Sequence, residues 1–289
     1  MTLYPSKVYL NGRIYDAEMA KISVFDRGFL FGDGIYEVMV QIGGRFFCEE
    51  AHLKRLDECL IKINIDFDIS ILSSAIPDLL EAADLLQEDC LLYIQVTRGV
   101  APRTHAYPKN TSPTLMMYAV PKVLPDVNTI HASVVTMDDF RWSRCDIKMT
   151  SLLGNVMANE RAMEQDCFET LFVRDGIVTE ASHCNVFFVK QRIVYTHPAN
   201  RYILDGVTRQ IVLELCQELN LEVREAGISK ERINQVDEAF LTGTSTQIAS
   251  IRQIDNHVLY EHDEVGEVTK RLQWAFLEQK KKHGKRIHE

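Results

Sequence analysis

The segment Pro121-Lys122-Val123-Leu124-Pro125 puts two prolines within five residues. Proline fixes φ, lacks an N–H and pushes the residue before it out of the helical region. No helix or central strand runs well through such a stretch, so it reads as a linker cutting the chain in two. Each half then has to bury its own core from a mixture of strand-like and helix-like pieces. In the first half, Lys7 to Leu10 and Arg13 to Tyr15 flank Asn11-Gly12, a strong two-residue hairpin signal. Ile35 to Ile42 and Arg45 to Cys48 flank Gly43-Gly44 in the same manner. Glu49 to Ile63 carries Leu53, Leu56, Leu60 and Ile63 at spacings of three and four, the stripe of an amphipathic helix. Ile71 to Leu86 reads as another helix, and Cys90 to Thr97 and Thr114 to Val120 as strands.

The second half opens with a strand over Thr129 to Met137 and a helix over Gly154 to Gln165. Thr170 to Val173, Asn185 to Val189 and Ile193 to Thr196 are short strands. Thr208 to Leu219 is a helix with Ile211, Val212, Leu215, Cys216 and Leu219 on one stripe, and Glu238 to Thr242 is a buried strand. A last amphipathic helix covers Val265 to Lys280, ahead of a basic tail expected to be solvated and frayed. The division is therefore α+β in two domains: residues 1–120, a linker at 121–125, a larger domain over 126–280 and a tail at 281–289.

Lys and Arg number 32 against 41 Asp and Glu, a net charge of −9. Such a chain fits neither nucleic acid nor an anionic membrane, and any anionic ligand has to be held by a few placed cations. No apolar run approaches the roughly 20 residues of a spanning helix. Met1 to Asn11 lacks a basic stretch followed by an apolar core, so no signal peptide is expected. The seven cysteines are scattered with no CxxC pair, so no metal or disulfide framework is expected, and free thiols in that number suit a reducing, cytoplasmic setting.

Several segments carry groups capable of chemistry. Lys148 follows Arg144-Cys145-Asp146-Ile147; a lysine amine is nucleophilic only where burial or a neighbouring cation lowers its pKa, and otherwise it is an ordinary surface lysine. Glu180 lies among apolar residues, where a carboxylate is costly to bury unless paired. Asp205-Gly206 is a turn directly before a helix, and a helix start offers free N–H groups to an anion, although an ordinary cap looks the same. Thr242-Gly243-Thr244-Ser245-Thr246 supplies hydroxyls after a buried strand, and Arg55 a cation on a helix. Arg103-Thr104-His105 suits a carboxylate clamp or a solvated basic turn.

Taken in order, these strings resemble the class IV aminotransferases, in particular the bacterial D-amino acid branch. The resemblance runs from about Val8 to about Phe276 and rests on Asp26-Arg27-Gly28-Phe29, Phe31-Gly32-Asp33-Gly34-Ile35-Tyr36-Glu37, Thr97 to His105, Arg144 to Lys148, Thr179-Glu180 with Asn185-Val186-Phe187, and Gly206-Val207-Thr208-Arg209. It implies the fold-type IV architecture, with a small α/β N-terminal domain and a larger mixed-sheet, barrel-like C-terminal domain, and pyridoxal 5'-phosphate as cofactor. Lys148 would be the Schiff-base lysine and proton shuttle, and Glu180 the partner of the pyridine nitrogen. Arg55, Val207, Thr208 and Thr244 would hold the phosphate, and Leu204 would pack on the ring. Tyr36, Arg103 and His105 would take the substrate α-carboxylate, with Arg103 and His105 reaching in from the neighbouring subunit of a homodimer. The implied reaction moves the amino group of a D-amino acid to 2-oxoglutarate or pyruvate. A branched-chain L-amino acid aminotransferase and an aminodeoxychorismate lyase share the scaffold and stand as alternatives. The sequence departs from the pattern at Ala181, where glycine is usual, at His183 and Cys184, where small hydroxyl residues are usual, and at Gly243, which replaces a serine.

Overall fold

The computed structural model describes residues 4–262 and 264–285. They form two compact units. The first comprises the chain up to Val123 together with Ile147–Ser151, and the second comprises Leu124–Asp146 and Leu152–Lys285.

The first unit contains β1 (Lys7–Leu10), β2 (Arg13–Asp16), α1 (Arg27–Phe31), β3 (Gly34–Ile42), β4 (Arg45–Phe46), α2 (Glu49–Lys62), α3 (Leu72–Ala82), β5 (Cys90–Thr97) and β6 (Thr114–Pro121). Its six strands form one sheet in the order β2-β1-β6-β5-β3-β4, every neighbouring pair antiparallel. Both expected hairpins form, β1–β2 around Asn11-Gly12 and β3–β4 around Gly43-Gly44. One sheet face is covered by α2 and α3. Leu56, Cys59 and Leu60 of α2, with Leu72, Ile76, Leu79 and Leu80 of α3, pack on Ile35, Met39, Leu92, Ile94, Leu115 and Met117. The helix expected over Ile71 to Leu86 stops at Ala82, just before Asp84 turns to a positive φ of 57°.

Ile147–Ser151, which a linear division at the 121–125 linker leaves in the larger half, belongs with this first sheet. The Tyr36 N–H donates to the Lys148 carbonyl at 3.0 Å and the Thr150 N–H to the Gly34 carbonyl at 3.0 Å, an antiparallel bridge centred on Ile35 and Met149. Ile147 and Met149 enter the same core as Ile35. Side chains alternate along an extended segment, so Lys148 between them faces away from that core.

The second unit contains β7 (His131–Asp138), α4 (Leu153–Met163), β8 (Glu169–Arg174), β9 (Ile177–Ala181), β10 (Asn185–Lys190), β11 (Ile193–Thr196), α5 (Val207–Glu218), β12 (Val223–Glu225), β13 (Glu238–Gly243), β14 (Gln247–Ile254), β15 (His257–Val258) and α6 (Glu267–Lys285). The sheet order is β12-β11-β10-β13-β14-β7-β8-β9, with β15 on β14. It is mixed: β11–β12, β14–β7 and β7–β8 are parallel, the other pairs antiparallel. Strands β9 and β10 are five spacings apart in that order, about 24 Å in a flat sheet. Yet only Ser182–Cys184 joins them, and four peptide units reach at most about 14 Å. The sheet therefore curls until its edge strand β9 returns to β10, where the Ala181 N–H donates to the Cys184 carbonyl at 2.7 Å. This barrel-like curl brings Glu180 and Asn185 together.

The sequence reading missed β9 and β14. The signal for β9 was available: Asp175-Gly176 is a hairpin dipeptide, and both residues take positive φ here, 51° and 77°. α6 continues to Lys285, so residues 281–285 are helical rather than a frayed tail, and 286–289 lie outside the described residues.

The docking of α2 fixes Arg55 and is open to test. Leu56 is fully buried, whereas Ile61 on the same helix is 64% exposed. Leu56→Ala should cost about 2–5 kcal/mol in urea unfolding and Ile61→Ala should stay within about 0.5 kcal/mol of wild type.

Candidate active site

In the first unit, Arg55 on α2 reaches across to Glu37 on β3. Its Nε donates to Oε2 at 2.9 Å and its Nη2 to Oε1 at 2.7 Å, a two-pronged pair. His52, one turn earlier, lies with Nδ1 3.0 Å from the same Oε1. Glu37 has no exposed surface. Burial pushes its carboxyl up, but the charge of Arg55 and the bonds from His52 and Arg55 outweigh that, with a smaller contribution from Lys148, and hold it well below the usual range. Burial, against the pull of Glu37, lowers His52. Glu37 is therefore a fixed anion that steers Arg55. The Lys148 Nζ sits 4.2 Å from the centroid of the Tyr36 ring, and the Lys148 backbone N–H donates to the Cys59 sulfur at 3.4 Å. Tyr36, Tyr93 and Tyr118 stack at centroid distances of 5.7 and 5.0 Å, a rigid aromatic floor on the face opposite the helices.

Arg103 and His105 lie on an exposed loop after β5. Both gather on Phe31 rather than on Tyr36: the Arg103 guanidinium is 5.0 Å and the His105 ring 5.7 Å from the Phe31 ring. The loop is anchored from beneath. Asp33 accepts from Arg27 Nε at 2.7 Å and from Arg98 Nε and Nη2 at 2.8 and 3.0 Å. Arg27 Nη1 then holds the Thr104 carbonyl at 2.6 Å, between the two exposed residues. Burial raises Asp33, but the bonds and charges of Arg98 and Arg27 prevail and lower it. Gly99 at the start of the loop has φ +91°, and a Cβ there would lie 1.9 Å from the Ser112 carbonyl oxygen, so only glycine fits.

In the second unit, Glu180 sits on β9, almost wholly buried. Its Oε1 accepts from Arg141 Nη1 at 2.8 Å, and its Oε2 from the Leu204 N–H at 2.9 Å and Asn185 Nδ2 at 3.4 Å. Asn185 also donates to the Leu204 carbonyl at 2.8 Å, so one amide ties the 204–206 turn to the carboxylate. Arg141 stacks 3.9 Å over Phe172 and is gripped by buried Asp139, which Arg174 also holds. Burial is the largest influence on Glu180 and, despite Arg141, raises its carboxyl to about 7.

The 205–209 segment is held by Arg209, fully buried, which donates to Asp205 at 2.7 Å, to Glu225 at 2.6 Å and to the His197 carbonyl at 3.0 Å. Val207 and Thr208 open α5, both buried, and no side chain caps the helix start. A buried helix start without a cap offers N–H groups of the kind a phosphate accepts. Thr244 is half-buried in the β13–β14 turn. Nearby on β13, the Thr242 hydroxyl is one of two buried side-chain atoms without a hydrogen-bond partner among the described residues, the other being Arg209 Nε. Leu204 is half-buried beside Glu180. An acid carboxylate poised near neutrality, a bare helix start and an orphan hydroxyl fit the ring nitrogen and phosphate of a pyridoxal group.

The supporting residues Glu37, His52, Asp139, Arg141, Arg174 and Asn185 had no assigned role in the sequence. Glu37 and Asn185 stood inside the resembling strings, so their pairing was within reach; Asp139 and Arg141 follow a strand end and carried no distinguishing signal. His183 pairs with Glu169, its Nδ1 2.5 Å from the carboxylate.

The family model for class IV aminotransferases matches residues 34–254. The chain belongs to the class IV aminotransferase family. It is accordingly an aminotransferase. It is 38% identical over 271 residues to the D-alanine aminotransferase of Bacillus licheniformis, covering 93% of this chain and 95% of that protein. Its fold is that of the Escherichia coli branched-chain amino acid aminotransferase, with a TM-score of 0.85 at 22% identity over 95% of this chain and 94% of that one. It is equally that of the T.th. branched-chain amino acid aminotransferase complexed with N-(5'-phosphopyridoxyl)-L-glutamate, with a TM-score of 0.83 at 22% identity over 96% and 94%.

The Glu180 carboxyl of this aminotransferase gives a pH signature in cofactor-free protein. A carboxyl raised from 4.5 to about 7 in the folded state binds its proton more tightly folded than unfolded. Its contribution to stability is complete below pH 4.5 and is lost as pH rises through 7. Across that window wild type should lose stability relative to Glu180→Gln, by on the order of 3 kcal/mol, in parallel urea unfolding series. A pH-independent difference between the two proteins would contradict it.

Proposed function

We propose that this aminotransferase moves the amino group of small D-amino acids of the D-alanine type to 2-oxoglutarate or pyruvate, using pyridoxal 5'-phosphate. The observation that carries the reading is the 38% identity to a D-alanine aminotransferase along 93% of the chain. The likeness to branched-chain enzymes, at 22% identity, concerns the scaffold.

The cofactor, when bound, supplies an electron sink that makes the substrate Cα–H acidic. Lys148 holds the cofactor and carries the Cα proton on Nζ as general base and acid. The Tyr36 ring lies against that amine. Glu180, whose carboxyl is raised by burial to about 7, would share a proton with the ring nitrogen, and Arg141 and the Leu204 N–H keep it in place. Arg55, the N–H groups of Val207 and Thr208, and the Thr244 hydroxyl bind the phosphate. Glu37 holds Arg55 in one orientation. Leu204 would pack against the ring.

Tyr36, Arg103 and His105 take the substrate α-carboxylate, Arg103 through paired hydrogen bonds. Arg103 and His105 act on the site of the second subunit in a homodimer. Their exposure supports this, as does the exposure of Phe25 at 58% and Phe29 at 68%, apolar side chains of the kind an interface covers. The seven cysteines are all free, which supports a cytoplasmic location. No helix among the described residues is long and apolar enough to cross a membrane.

Direct measurements test the reading. Borohydride treatment should fix pyridoxal phosphate irreversibly to wild type and not to Lys148→Ala; labelling of the variant would remove the lysine from its role. With 2-oxoglutarate as acceptor, D-alanine should turn over and L-leucine should not; the reverse selects the branched-chain alternative, and pyruvate formed from aminodeoxychorismate selects the lyase. Arg103→Ala should raise KM for the D-amino acid by about 10- to 100-fold, the worth of a charged hydrogen bond, with little change in cofactor affinity. Mixing it with Lys148→Ala should recover activity, because a mixed dimer rebuilds one complete site.

A further inference from the structure

We propose that Glu169, His183 and Cys184 form a binding site for a divalent transition-metal ion of the zinc type. One donor atom from each, a carboxylate oxygen, an imidazole nitrogen and a thiol sulfur, all lie within 4.8 Å of one another. Among the described residues no other trio of such side chains comes together. Zinc takes this mixed donor set, and three protein donors leave a fourth position for water. Sulfur and imidazole turn away magnesium and calcium, which bind through oxygen.

The fold builds the site from two places. Glu169 begins β8, and His183 and Cys184 lie in the turn that carries β9 into β10. Glu169 has no exposed surface. Its Oε1 accepts from the Thr170 N–H at 2.9 Å, the Ser182 N–H at 3.1 Å and the Ser182 hydroxyl. These donors fix the carboxylate as groups behind a metal ligand do. They leave Oε2 turned to His183, whose Nδ1 stands 2.5 Å away and whose N–H donates at 3.2 Å. The Cys184 sulfur contacts the Thr246 hydroxyl at 3.3 Å. Glu169 and Cys184 are buried, while the His183 side chain is 50% exposed, so an ion enters from solvent along the imidazole. Ligand atoms on one tetrahedral zinc stand about 3–4 Å apart, so binding swings the imidazole outward, where there is space.

The linear sequence hid this site because Glu169 is 14 residues upstream of His183. The trio bears on the larger site directly. The 182–184 turn joins the strand of Glu180 to Asn185, and a bound ion braces the junction. The proposal does not depend on which amino acid is the substrate.

The test uses the purified full-length protein, stripped with a chelator, dialysed and titrated with Zn2+ alone, then with Co2+ as a spectroscopic substitute. Expected are saturable binding of a single zinc ion per chain by elemental analysis, and cobalt d–d bands with a sulfur-to-cobalt charge-transfer band. His183→Ser and Cys184→Ser should each weaken zinc binding by about 100-fold, at the upper end of what even supporting residues contribute. Cys184→Ser should lose the sulfur band, and Cys167→Ser should change neither. Thermal unfolding separates ligand loss from misfolding, and His183→Ser, at an exposed position, leaves the fold intact. Absence of saturable binding, a cobalt spectrum without the sulfur band, or unchanged affinity in His183→Ser overturns the proposal.

Discussion

The pairing of Ile147–Ser151 with the start of β3 is the constraint on which the placement of Lys148 depends. Two backbone hydrogen bonds and the burial of Ile147 and Met149 set the register. A slip of one residue would turn Lys148 into the core and Met149 out of it. The register also decides which groups surround the amine: Tyr36 pairs with Lys148 and carries the ring beneath it, and Glu37 follows on the same strand. A lysine on a surface loop would have to be ordered at the cost of backbone as well as side-chain entropy. Here the sheet has already fixed the backbone, and only the side chain remains to be positioned.

Both units solve the same electrostatic problem in the same manner. Glu37 and Asp139 are carboxylates shut off from water and Asp33 is one largely so, and each is met by arginine with hydrogen bonds to both oxygens. Breaking such a pair costs far more than its net worth, because the survivor is stranded. That asymmetry makes the pairs effective at orienting the candidate site residues. Glu37 aims Arg55, Asp33 sets Arg27 and Arg98 under the Arg103–His105 loop, and Asp139 aims Arg141 at Glu180. Glu180 differs in degree. Its burial outweighs the help of a single arginine prong, and it stays near neutrality. A carboxyl in that condition is suited to exchange a proton with a ring nitrogen, whereas a fully paired carboxylate such as Glu37 is suited to staying charged.

The parts legible in the sequence were those written locally. Asn11-Gly12 and Gly43-Gly44 determine their hairpins through turn geometry alone, and the stripe of Leu56 and Leu60 determines which face of α2 is buried. What stayed hidden depends on long-range closure. Asp175-Gly176 marks the turn into β9 locally, but where β9 lies is set by curling the whole second sheet back on β10, and no window of sequence contains that position. The partners of Glu180 come from positions 141, 185 and 204. Such partners are found by asking where a buried charge finds its counter-charge, a question that needs coordinates. The attachment of Ile147–Ser151 to the first sheet is of the same kind: residues across a linker from β3 join it because their apolar side chains complete its core.

The substrate question turns on loops rather than on the scaffold. The TM-score of 0.85 with a branched-chain enzyme at 22% identity means that two chains can share a fold and diverge at most side chains. A sheet constrains its core volumes and its hydrogen-bonding edges, and many sequences satisfy both. The loop from Thr97 to His105 is under a different constraint. Gly99 must keep φ near +91° to clear Ser112, Arg98 must reach Asp33, and Arg27 must hold the Thr104 carbonyl, all to present two exposed side chains that add little to stability. A buried apparatus that ends in two solvent-facing groups is costly to maintain for packing alone. What the apparatus does physically is hold the backbone between a guanidinium and an imidazole in one place, which is the arrangement the proposed carboxylate clamp requires.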